Sequence, residues 1–268
     1  MGLYLERCQQ QAVPPPPPPP GTPQPPKGCL SGGSLVCWLD AQALSLNDGA
    51  VVSTWDDQSG KGNHATIHVG DPTFRTGVIN GRPGVEFRGE SNVRKAMKIS
   101  GADVSSFDLA DSVGYSIGMV VRVQTASPFT HGRFFQQRNP STSTLAEHHT
   151  LSSVSFRFSV ADYDGPTVVN TYASAILDVP LRLIWRLKVP DLFIMLNGTE
   201  YGFSGGLVNV QSPATTTACI LGGVYNTLES ATQFFSGYIG EFLLYRCFLS
   251  DAERDQLDTY FKEKWGLV

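Results

Sequence analysis

Trp55-Asp56-Asp57-Gln58-Ser59-Gly60-Lys61-Gly62-Asn63-His64-Ala65 follows the β-branched run Val51-Val52-Ser53-Thr54, and its reading decides the fold. Glycine supplies backbone angles with positive φ, and Asp, Asn and Ser side chains bond their own local backbone. The stretch therefore reads as a strand that ends in a tightly folded corner. It lies between two further apolar runs, Leu35-Val36-Cys37-Trp38-Leu39-Asp40-Ala41 before it and Gly81-Arg82-Pro83-Gly84-Val85-Glu86-Phe87 after it.

Working outward, the C-terminal end carries the next clear signals. Gly237 to Tyr245 reads as a strand, and Leu249-Ser250-Asp251-Ala252-Glu253-Arg254 opens a helix that ends at Lys264-Trp265-Gly266. Ser250 and Glu253 have the spacing of a capping box, in which each side chain satisfies an orphan amide of the first turn. Leu257, Tyr260, Phe261 and Trp265 form one apolar face at helical spacing, and Gly266 suits the left-handed position after the last turn. Between the two ends, Tyr115 to Val123 and Val154 to Val160 read as strands. Leu181 to Lys188 and Asp191 to Leu196 read as a strand pair, with Asn197-Gly198 as a type I′ hairpin turn into Thr199-Glu200-Tyr201. Cys219-Ile220-Leu221-Gly222 reads as a buried strand. Gln124 to Thr150, rich in Ser and Thr and holding three histidines, is expected to be the longest loop.

The succession of the first and last strands, the corner and the terminal helix resembles the concanavalin A-like, LamG-type jelly-roll family. The resemblance covers residues 35 to 267, and members occur as lectin modules and in many virion and secreted proteins. It implies an all-β jelly-roll sandwich with one short C-terminal α-helix, here preceded by an extended proline-rich arm. Residues 35–268 are expected to form that domain and residues 1–34 the arm with its Gly/Ser linker. Composition agrees: about 234 residues suit one large β-sandwich, and only 16% of residues are charged. The net charge of −4 and the lack of a Lys/Arg cluster argue against a nucleic-acid partner. No secretory signal is seen, and no apolar run approaches the ~18 residues that span a bilayer.

The arm is the second strong signal. Seven prolines, Pro14 to Pro20, precede Gly21-Thr22-Pro23-Gln24-Pro25-Pro26. Proline has no amide donor and a fixed φ, so the stretch predicts polyproline II of ~3.1 Å per residue, roughly 40 Å for thirteen residues. Such a segment becomes ordered by lying against something. Leu3, Tyr4, Leu5, Pro14, Pro17, Pro20, Pro25 and Pro26 are therefore expected to anchor the chain to a partner or a neighbouring copy, with packing on its own domain the alternative. The five cysteines have no zinc-type spacing, and Cys37 and Cys247 are expected as buried free thiols.

No catalytic set is assigned. Gly202-Phe203-Ser204-Gly205-Gly206 matches a nucleophile elbow in letters, but Leu207-Val208-Asn209-Val210 after it reads as a strand where that elbow needs a helix. Glu253, Asp255 and Asp258 mimic a glycosidase carboxylate triplet, yet they fall on a helix, where positions two apart do not share a face. The resemblance implies that a calcium site is plausible, and Asp56, Asp57, Ser59 and Asn63 are the candidate oxygen donors. It also implies glycan binding through loops, for which His131, Asp162, Tyr163, Asp164, Tyr225 and Asn226 have the right chemistry. The function expected is that of a non-enzymatic structural or adhesion protein, most simply a phage virion decoration or fibre-type protein assembled in the host cytoplasm. Its partners are then other virion proteins, a cell-surface glycan or sister copies; a glycan-binding lectin module for host or substrate recognition is the alternative, and a glycan hydrolase the third reading.

Overall fold

The computed structural model describes residues 23–28, 35–90, 93–101, 114–124, 131–138, 145–151, 155–161, 168–174, 177–188, 191–203, 218–224 and 234–268. The chain enters through β1 (Leu35–Asp40) and a 3-10 turn capped by Asp40, then β2 (Thr54–Trp55) and β3 (Ala65–Val69). Next come β4 (Thr73–Ile79), β5 (Arg82–Phe87), a small ribbon of β6 (Gly89–Glu90) and β7 (Val93–Arg94), and β8 (Ala96–Ile99). The middle is laid out as β9 (Tyr115–Val123), β10 (His131–Arg138), β11 (Leu145–Leu151), β12 (Ser155–Ala161) and β13 (Val168–Ser174). The last strands are β14 (Pro180–Lys188), β15 (Asp191–Leu196), β16 (Thr199–Phe203), β17 (Ala218–Leu221) and β18 (Gly237–Tyr245), followed by helix α1 (Asp251–Trp265).

These strands form two eight-stranded antiparallel sheets. The first runs β16-β15-β14-β9-β18-β5-β4, with β1 also on β18; the second runs β13-β12-β11-β10-β17-β8-β3-β2. The expected all-β sandwich with one C-terminal helix is the fold observed. Its centre is written into alternating residues: Leu181, Leu183, Trp185 and Leu187 of β14 enter the core between the sheets, as do Ile117, Met119, Val121 and Val123 of β9. Fully burying each such side chain contributes ~1.5–3 kcal/mol.

The first sheet is apolar on its outer face too. There Val120, Ile184, Met195 and Leu243 meet Leu257, Tyr260, Phe261 and Trp265 of α1. The helix begins with the expected capping box and ends on Gly266 at φ 62°. Two glycines let it approach closely: a Cβ on Gly118 would fall 2.9 Å from Leu257, and one on Gly240 would fall 2.4 Å from the Trp265 ring. A bulge between Ile239 and Glu241 shifts the alternation of β18. It sends Ile239 into the central core and turns Glu241 towards the helix, as bulges commonly re-aim a side chain.

The β15–β16 turn is type I′, with φ 49° at Asn197 and 85° at Gly198. Two expectations are corrected. Gln124 to Thr150 is not one loop, since β10 and β11 form a hairpin within it. Phe134 and Phe135 are buried and β10 pairs with β17, so tertiary pairing overrides polar local composition. Cys247 is disulfide-bonded rather than free, whereas Cys37 and Cys219 are buried free thiols. Of the arm residues expected to anchor the chain, Pro25 and Pro26 are described. Pro25 is buried on its own domain, and the Pro26 carbonyl accepts a 3.0 Å hydrogen bond from the Tyr245 hydroxyl at the end of β18. A proline carbonyl is free for such a bond because polyproline II makes none of its own.

Candidate functional site

The densest group of titratable side chains lies between α1 and the first sheet. Glu241 is fully buried. Its Oε1 accepts from Trp38 Nε1 (2.7 Å), Lys264 Nζ (2.7 Å) and Tyr260 OH (2.5 Å), and its Oε2 accepts from Trp265 Nε1 (2.6 Å). Lys264 also donates to Asp40 Oδ2 at 2.7 Å. Burial pushes the Glu241 carboxyl above the usual carboxylate range; the Lys264 ammonium opposes this and the Asp40 charge adds to it. Burial and then the Glu241 charge push the Tyr260 hydroxyl up, so it remains a donor. Two carboxylates, an amine and a phenol resemble catalytic machinery, but every polar group here is engaged by another. The cluster latches the helix.

A second set of charges fastens the same helix. Arg186 sits between the Phe193 and Phe248 rings (5.0 and 4.8 Å) and binds Glu200, Asp251 and the Leu249 carbonyl. Arg254 bridges Glu200 and Asp251, and Arg182 holds Asp258 at 2.8 Å. These bonds separate the three carboxylates that mimic a glycosidase triplet. Glu253 caps α1 through the Ser250 amide and hydroxyl, Asp258 is buried under Arg182, and Asp255 stays on the surface.

Of the four expected calcium ligands, Asp57, Ser59 and Asn63 are tied to one another by hydrogen bonds, while Asp56 is exposed. Asp57 is 2% exposed, and its oxygens already face four donors. Oδ1 accepts from the amides of Trp38 (2.8 Å) and Ser59 (2.9 Å), and Oδ2 accepts from Ser59 Oγ (2.7 Å) and the Asn63 amide (2.9 Å). Asn63 Nδ2 donates to the Val36 carbonyl, while the exposed Asp56 lies beside His64. A cation would have to displace those donors. The geometry is that of a corner pinned to β1, and no group of three or more His, Cys, Asp or Glu side chains suited to a metal is present among the described residues.

One open cavity of the described surface is a groove of about 440 Å³ between the arm and α1. Pro23 and Gln24 form one wall; Ala252, Asp255, Gln256, Thr259, Tyr260 and Glu263 form the other. The helical residues recur at three- and four-residue spacing, so they make one stripe along the side of α1. Sequence reasoning passes over them because a polar helical stripe ordinarily faces water; only the arm laid alongside turns it into a groove. Proline and alanine supply apolar surface, amides and a hydroxyl supply donors and acceptors, and two carboxylates supply strong acceptors. That donor set suits a polyhydroxylated ligand. Asp255 and Glu263 lie eight residues apart on the helix, or about 12 Å along its axis.

Of the expected glycan-binding residues, His131 opens β10 opposite Leu151. Asp162, Tyr163, Asp164, Tyr225 and Asn226 lie outside the described residues, as do Leu3, Tyr4, Leu5, Pro14, Pro17 and Pro20 of the arm.

No family model matches this chain, and no curated protein matches it. Solved structures do match in fold. The binding domain of Paraclostridial Mosquitocidal Protein 1 superposes with a TM-score of 0.60 at 9% identity, covering 86% of this chain and 52% of that one. The binding domain of Botulinum neurotoxin DC, solved in complex with rat synaptotagmin II, gives 0.59 at 11% identity, with 85% and 51% covered. Domain 4 of AbnA, a GH43 extracellular arabinanase from Geobacillus stearothermophilus solved with arabinotriose, gives 0.51 at 18% identity, with 84% and 97% covered. The chain thus spans about half the length of the toxin chains it resembles. At these identities the likeness establishes the fold, a β-sandwich consistent with a concanavalin-like jelly roll.

Proposed function

We propose that this chain is a non-enzymatic recognition module whose ligand is a carbohydrate. The observation that carries this reading is the groove between Pro23–Gln24 and α1, whose lining offers apolar surface, amides, a hydroxyl and carboxylates. The sandwich neighbours whose names specify binding domains, and the one solved with arabinotriose, lend the reading support by analogy of fold. Display on a larger assembly such as a phage particle, held through residues 1–34, is the finer form of the proposal. With Pro25 and Pro26 seated on their own domain, that anchoring falls to the residues before Pro23.

A panel of neutral and amino-sugar oligosaccharides, screened by calorimetry against the intact chain, tests the reading. Gln256→Ala and Asp255→Ala remove exposed helical side chains, so folding should survive. Each should weaken binding about tenfold, the loss of one hydrogen bond worth ~1.4 kcal/mol. A chain that retains no saccharide refutes the ligand class, and one that binds equally well in both variants refutes the groove. Release of reducing ends on incubation would refute the non-enzymatic reading.

A further inference from the structure

Cys247 follows β18, is 2% exposed and is disulfide-bonded. The chain has five cysteines. Two of the others, Cys37 and Cys219, are free thiols buried in the core between the sheets. The partner of Cys247 is therefore Cys8 or Cys29. Both belong to residues 1–34 and lie outside the described residues. With either partner, the bond ties the N-terminal arm to the end of β18.

The described part of the arm distinguishes the two. The Tyr245 hydroxyl donates to the Pro26 carbonyl at 3.0 Å, and the Leu35 amide donates to the Lys27 carbonyl at 3.4 Å. Leu35 is itself paired with Tyr245. Two successive carbonyls of the arm are thus held by one residue pair, and Cys247 is two positions beyond Tyr245 in sequence. Gly28 comes next, and Cys29 follows it directly, with its Cα ~3.8 Å further on. A disulfide spans Cα atoms ~4.4–6.8 Å apart, a separation typical of neighbouring segments. Cys8 is fifteen residues before Pro23, behind the run Pro14 to Pro20, which predicts polyproline II about 20 Å long. A thiol on so long a tether is presented at lower effective concentration than one a single residue from a fixed point.

We infer that Cys29 and Cys247 form this disulfide, and that it is a covalent latch of the arm on the domain. The Cys29 thiolate attacks a disulfide oxidant such as oxidised glutathione and expels one glutathione thiolate. The Cys247 thiolate then attacks the Cys29 sulfur of the mixed disulfide and expels the second. Two protons and two electrons of the cysteine thiols thus pass to the oxidant. Cys247 attacks second because it is packed among Trp38, Tyr245 and Leu249, and a thiol in apolar surroundings resists ionisation. The bond implies that the chain matures in oxidising surroundings, where disulfides persist. It also stands five residues from Gln24 in sequence and pins one wall of the groove beside α1. That last consequence rests on the function proposed above, whereas the pairing does not.

Peptide mapping of the intact chain tests the pairing. The chain is equilibrated with oxidised and reduced glutathione, alkylated in denaturant without further reductant, and cut with chymotrypsin. Cleavage after Leu30 and Leu35 separates Cys29 from Cys37. The expected result is one linked pair of peptides carrying Cys29 and Cys247, with Cys37 and Cys219 alkylated. A link from Cys247 to any other cysteine, or an unlinked Cys247, overturns the inference. Limited proteolysis tests the latch. Lys27 is exposed, and trypsin should cut after it about tenfold faster in Cys29→Ser, because cleavage follows the population of the open form. Cys8→Ser should be cut at the native rate. A Cys29→Ser chain as resistant as the native one overturns the latch, as does a Cys8→Ser chain that is cut faster.

Discussion

Replacing Lys264 with methionine isolates what the buried latch contributes. Lys264 is 6% exposed and donates to Glu241, Asp40 and Tyr260 at 2.7, 2.7 and 2.8 Å. Methionine fills much of the same volume but leaves two buried carboxylates with no cation. Removing one partner of a buried ion pair destabilises by ~3–5 kcal/mol. At ~2–4 °C per kcal/mol for a domain of this size, the melting temperature should fall by roughly 6–20 °C at neutral pH. The loss should depend on pH in a definite sense. Burial already raises the Glu241 carboxyl in the native chain, and Lys264 is the main group holding it down. Without Lys264 the carboxyl rises further. A folded-state acid with a raised value contributes its stability below the unfolded value of ~4.3 and loses it as pH climbs through the folded one. Lys264→Met should therefore lie nearest the native chain near pH 4 and fall away towards pH 7.5. Adding Glu241→Gln to Lys264→Met should recover stability at neutral pH, because the uncompensated charge is gone. Thermal melts by circular dichroism at several pH values provide the measurement. A loss below about 1 kcal/mol at pH 7.5, a flat pH dependence, or a double variant weaker than the single one would refute this reasoning.

Three further outcomes follow from the geometry. Gly240→Ala drives a methyl against the Trp265 ring; overpacking of this kind destabilises by ~1–3 kcal/mol, and hydrogen exchange should show α1 opening first. Asp57→Ala strands the amides of Trp38, Ser59 and Asn63, so unfolding in urea should shift by several kcal/mol at ~1–3 per orphaned donor. Because those donors already fill the carboxylate, adding a calcium chelator to the native chain should leave its melting temperature unchanged. Tyr245→Phe removes the hydroxyl that holds Pro26; stability should fall by only ~0.5–1.5 kcal/mol, while limited proteolysis near residues 23–28 should quicken markedly.

Elements whose instructions are local were legible in the sequence alone. Ser250 with Glu253, Gly266, and Asn197-Gly198 act through bonds and backbone angles within a few residues, and all formed as read. Leu181 to Lys188 and Asp191 to Leu196 read as a strand pair beside the Asn197-Gly198 turn and formed one, while the sandwich as a whole was expected from the resemblance of the end segments to a known family. Tertiary structure decided what depends on chain segments far apart. No spacing joins Trp38, Asp40 and Glu241 to Tyr260, Lys264 and Trp265, and they converge because a bulge in β18 turns Glu241 towards a helix packed on the same sheet. β10 and β11 became strands in a polar stretch because β17 offered β10 a partner. Pro25 and Pro26 met their own domain because the Tyr245 hydroxyl needed an acceptor there. Local bonds can be read from neighbours in sequence, whereas burial and long-range pairing are set by what the rest of the chain brings alongside.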